Sequence, residues 1–172
     1  MIEKMRNSEG LIDSVNPPTA YLTNGVWIYM VPQFKPESVL ILGFAGGTVA
    51  GLTRLIYGAV PITAVDIKPC QEQFGVEFIQ QDAREYIKHC GHFDVCIVDL
   101  FDGRMCEFVL TDEFAKAVGK ICNYIILNTI DDADVSAYRK RFIRYGSNKP
   151  NRLSNRIYYF GTREIIPEPL LK

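Results

Sequence analysis

Short apolar runs recur along the chain at the spacing of buried strands. Val39 to Leu42 is continuously aliphatic, FDVCIVD (93 to 99) and YIILNT (124 to 129) are nearly so, and ITAVD (62 to 66) and VEFI (76 to 79) are shorter versions. Unbroken runs of this length, without strict alternation, fit strands covered on both faces, as in a parallel sheet. Between them lie helical patterns: one between the first glycine-rich turn and Ile62, then Asp82 to about His89, Thr111 to about Lys120, and about Asp132 to Tyr145. Strands alternating with helices predict an α/β domain with a mostly parallel sheet. A closing strand, RIYYFGT (156 to 162), arrives through the loop Gly146 to Asn155 and is expected antiparallel at one edge.

Two segments depart from that rhythm. Residues 20 to 34 place Trp27, Ile28, Val31 and Phe34 at helical spacing after the turn signal Asn24-Gly25, while Pro32 interrupts any long helix. A short leading helix or hairpin is expected there, packed on the sheet and able to overhang a ligand site; residues 1 to 10 are polar and expected to be loose. From Asp66 to Val76 only nine residues intervene, and they include Pro69 and Gly75. A parallel crossover ordinarily needs a dozen or more with a helix. The helix after the second strand is therefore expected to be missing or reduced to one turn. The face it leaves must be covered by another subunit, making a homo-oligomer, or by the residues before Val39.

Composition narrows the class. A chain of 172 residues fits one domain, 1–172, with a leader of 1–38 and a core of 39–163. Hydrophobic content of 48% and a net charge of −1 give no electrostatic reason to expect nucleic acid or a membrane surface as partner. The basic run Arg139, Lys140, Arg141 and Arg144 is expected to be the solvated face of a helix. Five cysteines, odd in number and without a CxxC pair, are expected to be reduced core residues of a cytoplasmic protein. His89 and His92 flank Cys90-Gly91, which is expected to be a helix end with Gly91 at C′ rather than a metal site.

The candidate chemistry starts at the first turn. In VLILGFAGGTVAGLTRLIYGAVPITAVD (39 to 66), Gly43, Gly46 and Gly47 let the backbone turn sharply and approach a ligand. Asp66 ends the next strand 23 residues after Gly43, where a carboxylate can take both hydroxyls of a ribose. The dinucleotide pattern GxGxxG is not met, because Ala45 and Thr48 stand where glycines would be required. A pyrophosphate needs bare backbone at those points and an adenosyl amino acid needs less, so the turn suits S-adenosylmethionine better than NAD.

Ligands of open parallel sheets lie outside the carboxyl ends of the strands. The polar residues there are Asp66, Asp82, Asp99, Asp102 and Asn128. Asp82, with Glu85 three residues on, reads as a capping box, and the same carboxylate is placed to accept from an adenine amino group. Asp99 ends the most apolar strand and, with Asp102 and Gly103, offers two carboxylates that could hold an ammonium, stabilise a sulfonium or take a proton. A turn closing on Gly103 accounts for Asp102 alone.

LGFAGGTVAG, the VDI containing Asp66, QQDAREYI, FDVCIVDLFDG and VLTDEFAKAV resemble, in order, the core of the spermidine synthase-like branch of the class I S-adenosylmethionine-dependent methyltransferase superfamily, over about residues 36 to 130. The resemblance implies a Rossmann-like class I methyltransferase fold. It implies that Gly43, Phe44, Ala45, Gly46 and Gly47 line the methionine part of the cofactor, that Asp66 and Ile67 meet the ribose end, that Asp82 and Ala83 meet adenine, and that Asp99 faces the reacting centre. Asp99 and Asp102 match the paired acids with which polyamine synthases orient and deprotonate an amine. Proline usually follows that pair, where this chain has Gly103, and an N-terminal β domain usually covers the amine site. The expectation is methyl transfer from S-adenosylmethionine to a small acceptor. The alternatives are aminopropyl transfer from the decarboxylated cofactor and a non-catalytic cofactor-binding remnant.

Overall fold

β1 (Val39–Leu42) is buried at all four positions, as an aliphatic run without alternation requires of a central strand. The computed structural model of the chain describes residues 5–6, 12–13, 26–70, 74–130, 132–149 and 154–161. After β1 come α1 (Thr48–Tyr57), β2 (Ile62–Asp66), β3 (Glu77–Gln80), α2 (Ala83–Tyr86), β4 (Phe93–Val98), α3 (Asp112–Ile121), β5 (Cys122–Ile130), α4 (Ser136–Arg139), β6 (Ile143–Asn148) and β7 (Asn155–Gly161). They form one seven-stranded sheet in the order β6-β7-β5-β4-β1-β2-β3. β3, β2, β1, β4 and β5 are mutually parallel, and β7 and β6 are antiparallel additions. This is the expected α/β, mostly parallel architecture.

Alternate residues feed two cores. Leu40, Leu42, Val65, Cys96, Val98, Ile125 and Leu127 meet Phe114, Ala115 and Val118 of α3, together with Tyr86 and Tyr138. Val39, Ile41, Ile62, Ala64, Val95, Ile97 and Ile126 meet Val49 and Ala50 of α1 on the opposite face, together with Val26 and Met30. Thr111 caps α3, its hydroxyl accepting from Phe114 N–H at 3.3 Å, as the predicted helix start requires.

The chain end of the sheet differs from expectation. The helix predicted from Asp132 to Tyr145 is only the four residues of α4, and Ile143–Asn148 is a strand paired with β7. Ile143 and Tyr145 favour a strand and Gly146 weakens a helix, so pairing with β7 wins over helical continuation. β7 is antiparallel as expected, but β6 and not β7 forms the edge. The basic run is thereby divided: Arg139 closes α4, Arg141 reaches Asp112 at 3.5 Å and Arg144 lies on β6. Tyr138, fully buried, stacks on Phe160 at 5.4 Å and ties α4 to β7.

The leader contributes a 3₁₀ turn at Val26–Met30, in which Val26 and Met30, followed by Val31, are the buried side chains. It docks on the α1 face: Tyr57 Oη donates to Pro32 O at 2.6 Å, Tyr159 Oη donates to Tyr29 O at 2.7 Å, and Phe34 meets Tyr124 edge-on at 4.8 Å. Those partners lie on α1, on β7 and in the first half of β5, so this turn does not overhang the carboxyl ends. Asn24-Gly25 falls outside the described residues.

No helix occurs among the described residues between β2 and β3, as the nine-residue spacing required. On the α1 face Cys70 and Phe74 of the connection and Phe78 of β3 pack against the core of Phe44, Ile62, Ala64 and Val76, to which Val26 and Met30 of the leader also belong. Arg54 of α1 fixes that connection, its guanidinium donating to Phe74 O at 3.3 Å, Gly75 O at 2.8 Å and Val60 O. One cationic side chain thus satisfies several loop carbonyls that a helix would have satisfied internally. After α2, turns continue to Cys90, whose N–H reaches Tyr86 O at 3.1 Å; Gly91 does not take the left-handed conformation expected of a C′ glycine. Cys96 and Cys122 are buried, Cys70, Cys90 and Cys106 are partly so, and all five are free thiols. Among the described residues no helix is long and apolar enough to cross a membrane.

Candidate functional site

The glycine turn joins the carboxyl end of β1 to the amino end of α1. Gly43 has φ +89°, and a Cβ there would stand 2.0 Å from the carbonyl oxygen of Asp99. Glycine is required because the backbones of β1 and β4 nearly touch at the point where both leave the sheet. Gly47 has φ +75°, and a Cβ there would stand 2.7 and 2.8 Å from the rings of Phe44 and Phe74. Between them Ala45 holds φ +46°, an uncommon state for a residue with a Cβ. Gly47 gives α1 no side-chain cap, so the first N–H groups of α1 are left for water or a ligand at the crevice end. The Thr48 hydroxyl in that first turn is buried without a partner. The Phe44 ring, 4% exposed, turns into the α1 core against Phe78, so its contribution to the crevice is its backbone.

Asp66 explains why the turn keeps this shape. Its Oδ2 accepts from Phe44 N–H at 2.8 Å and Ala45 N–H at 3.0 Å, and its Oδ1 accepts from Lys68 N–H at 2.9 Å. The carboxylate therefore folds the turn, and one lone-pair direction on Oδ1 remains for a ribose hydroxyl. Beside it Ile67 is 55% exposed, an apolar side chain held in solvent at the crevice.

Asp99 leaves β4 opposite. Its N–H donates to Leu42 O at 2.8 Å, and its Oδ1 accepts from Asn128 Nδ2 at 2.7 Å. Asn128, 3% exposed on β5, in turn accepts at Oδ1 from Asn155 Nδ2 at 3.0 Å. Asp99 Oδ2 accepts no hydrogen bond among the described residues. Burial drives the Asp99 carboxyl up to about 6, the Asn128 hydrogen bond opposes the rise, and the charge of Asp66 adds to it. A half-buried carboxylate that titrates near neutrality with one open oxygen is suited to exchanging a proton with a ligand.

Asp102 stands apart. It lies in a tight hairpin, Phe101–Asp102 against Arg104–Met105, which turns on Gly103 at φ +73°. Its carboxylate meets Lys68 Nζ at 3.1 Å, with the two side chains 67% and 62% exposed. Since β1 lies between β4 and β2, this pair bridges the exits of the two flanking strands. Asp82 caps α2, accepting Arg84 N–H at 2.7 Å, and both its oxygens also engage the Arg84 guanidinium, with Oδ2 to Nη2 at 2.6 Å. Those hydrogen bonds hold its carboxyl below the usual range. Glu85 turns to Lys88 at 2.7 Å, so only the Asp82 half of the predicted capping box forms. Ala83 is buried against the α3 face. Gly43 to Gly47, Asp66, Ile67 and Asp99 thus gather at one crevice, Asp102 stands at its rim, and Asp82 is turned to Arg84. Lys68 and Asn155 carry no motif and become visible only when the topology brings them to the same end of the sheet.

No family model matches the chain. A polyamine aminopropyltransferase of Vibrio vulnificus (strain CMCP6) is 26% identical over 72% of this chain and 50% of its own length, so the chain spans about half of that relative. Among solved structures, human methyltransferase-like protein 13 in complex with SAH is similar with a TM-score of 0.67 at 16% identity, over 88% of this chain and 85% of that one. A spermidine synthase in complex with the transition-state analogue AdoDATO is similar with a TM-score of 0.54 at 18% identity, over 88% and 63%. The chain shares its Rossmann-like fold with these methyltransferase and spermidine synthase structures, and a sequence likeness to an aminopropyltransferase accompanies it.

Proposed function

We propose that the chain is an S-adenosylmethionine-dependent transferase that methylates a small acceptor, with Asp66 holding the ribose end of the cofactor and Asp99 facing the transferred group. The observation that carries this reading is the Asp66 and Asp99 pair across a glycine turn, where one carboxylate accepts three backbone amides and keeps one acceptor direction, and the other has an oxygen without a hydrogen bond among the described residues. The fit to an adenosyl amino acid rests on the same crevice: one acceptor direction on Asp66, an exposed apolar Ile67, and uncapped N–H groups at the start of α1. The turn carries no basic side chain to offset a pyrophosphate. When bound, the cofactor supplies an electrophilic methyl carbon and a neutral thioether as leaving group.

The protein's own part is to position and to move a proton. Asp66 and the turn fix the adenosyl end, which sets the line of attack. Asp99 Oδ2 would accept a hydrogen bond from the N–H or O–H of the acceptor and take up the proton that the acceptor gives up. Near pH 7 a carboxylate that titrates at about 6 is mostly ionised and still basic enough for that step.

Aminopropyl transfer is the second reading, favoured by the sequence likeness to the aminopropyltransferase and by the acids Asp99 and Asp102. It is weakened because Asp102 is already neutralised by Lys68. A third reading, a cofactor-binding remnant without turnover, is separated by the same experiment. Thermal melting with S-adenosylmethionine, S-adenosylhomocysteine and decarboxylated S-adenosylmethionine is expected to show stabilisation by the first two; a ligand at 100 times its dissociation constant adds about 2.7 kcal/mol. Stabilisation by none of them overturns the cofactor assignment. Stabilisation only by the decarboxylated form overturns methyl transfer, and binding without label transfer to any acceptor supports the remnant.

A further inference from the structure

We infer that Asn155 is a positioning residue for Asp99: through Asn128 it fixes which oxygen of the carboxylate is tied down and which faces the acceptor. This rests on the reading that Asp99 meets the transferred group, and it names a residue that no motif marks.

Donor direction decides the arrangement. Asn128 sits nearly sealed on β5 and reaches two neighbours, Asp99 Oδ1 at 2.7 Å and Asn155 at 3.0 Å. Its amide has a donor end and an acceptor end, and the neighbours alone decide which points where. With Asn155 Nδ2 donating to Asn128 Oδ1, the amino end must face Asp99. Reversed, Asn128 Oδ1 would oppose Asp99 Oδ1, two acceptors in contact, a state tolerable only if Asp99 carried a proton. Asn155 is the first residue of β7, opposite Ile130, while Asn128 is opposite Ile157. The antiparallel strand thus supplies the donor that turns the Asn128 amino group toward Asp99. Oδ2 is left without a hydrogen bond among the described residues, available to an amine or hydroxyl.

The groups facing Asp99 are few. From β2 comes the charge of Asp66, from β5 the neutral Asn128, and behind it from β7 the neutral Asn155. No cationic side chain among the described residues offsets burial and Asp66, so the single donated hydrogen bond is the stabilising influence on the ionised form. Removing its support is expected to move the proton equilibrium of Asp99 and not merely to loosen the fold.

The test is a carbon-detected NMR titration of Asp99 in the ligand-free protein, with the signal assigned by its loss in Asp99→Asn. Parent, Asn155→Leu and Asn155→Gln are compared, and Asp94, at the opposite end of β4, serves as control. Asn155→Leu is expected to raise the Asp99 midpoint by about one pH unit, Asn155→Gln to bring it back toward the parent, and Asp94 to stay fixed. An unchanged Asp99 midpoint in folded Asn155→Leu overturns the proposal, even if its melting temperature falls, because that pattern belongs to a structural role. Equal shifts of Asp99 and Asp94 overturn it as well. Should Asn155→Leu not fold, Asn155→Ser is read by the same criteria. Calorimetry of S-adenosylmethionine on the parent decides the cofactor reading separately, since the titration uses no ligand.

Discussion

The two sides of the crevice are built from different bonds. The β1–β2 side is held by backbone: Asp66 accepts three main-chain N–H groups, and Gly43 brings β1 against the main chain of β4. The β4–β5–β7 side is held by side chains, with Asp99, Asn128 and Asn155 in a row and Lys68 reaching Asp102 at the rim. Backbone-held geometry leaves little freedom, whereas a row of side-chain hydrogen bonds can change a pKa or a specificity by one substitution without altering the fold. The first kind suits a part that must hold an invariant group, and the second a part that must be adapted to an acceptor.

The harshest way to break that contrast is at the seam. Gly43→Ala would place a methyl 2.0 Å from Asp99 O in a residue already at φ +89°. A loss of more than about 3 kcal/mol of stability is expected, read by urea denaturation, because strain and overlap combine at one atom. A loss under 1 kcal/mol would mean that β1 and β4 can part there and that the backbone-held side is softer than its bonds imply.

Asp66→Ala removes the acceptor of three N–H groups. It is expected to destabilise the ligand-free protein by about 1–3 kcal/mol and to weaken S-adenosylmethionine by a similar amount. Melting and calorimetry separate the two effects. Equal cofactor affinity with lowered stability would leave Asp66 as a folding residue alone.

On the opposite side the signature is pH. Asp99 titrates at about 6 when folded, above the value near 3.9 of an unfolded aspartate, so the folded chain holds its proton longer. The Asp99 contribution to parent stability is therefore fully present below about pH 4, is lost as pH rises through 6, and stays lost above it. Asp99→Asn removes this penalty. It is expected to be more stable than the parent at pH 8 by on the order of 1–2 kcal/mol, discounted because part of the side chain is open to solvent, and to lose that advantage near pH 4. Turnover is expected to fall by about 10²- to 10⁴-fold in the same variant. A constant stability difference across pH 4 to 8 would mean that Asp99 titrates normally.

The same contrast decided what could be read from the sequence. The backbone-held side announced itself locally: an aliphatic run, three glycines and an acid at the end of the next strand stand within 28 residues, Val39 to Asp66. Even the absent helix after β2 was a matter of counting. Arg54, which clasps the connection, was invisible because its partners Phe74 and Gly75 lie about 20 residues away and offer only carbonyls. On the other side Asp99 and Asn128 were legible as polar residues ending apolar strands, but Asn155 was not. Its meaning depends on β7 running antiparallel beside β5, and the sequence predicts a helix to Tyr145 and a loop from Gly146 where β6 (Ile143–Asn148) forms. Helical spacing of basic residues from 139 to 144 competed there with the strand preference of Ile143 and Tyr145, and pairing with a strand not yet reached in the sequence decided it.

The smallest expected effect on stability sharpens the comparison most. Lys68 and Asp102 are each more than 60% exposed, so their pair contributes less than about 1 kcal/mol and Lys68→Ala should melt almost as the parent does. Its consequence lies in specificity. Lys68 presents an ammonium 3.1 Å from the carboxylate that an amine acceptor would seek, and removing it frees Asp102 at the rim. With decarboxylated cofactor and putrescine, the parent is expected to form no spermidine at useful rates. Lys68→Ala is expected to bind putrescine more tightly than the parent does, by up to about fivefold for an exposed charge, and Asp102→Asn in the Lys68→Ala background should abolish the gain. Spermidine formation by the parent would overturn the preference for methyl transfer and make Lys68 a guide for the amine. No gain in putrescine affinity would mean that the rim plays no part in choosing the acceptor and that the choice rests on Asp99 alone.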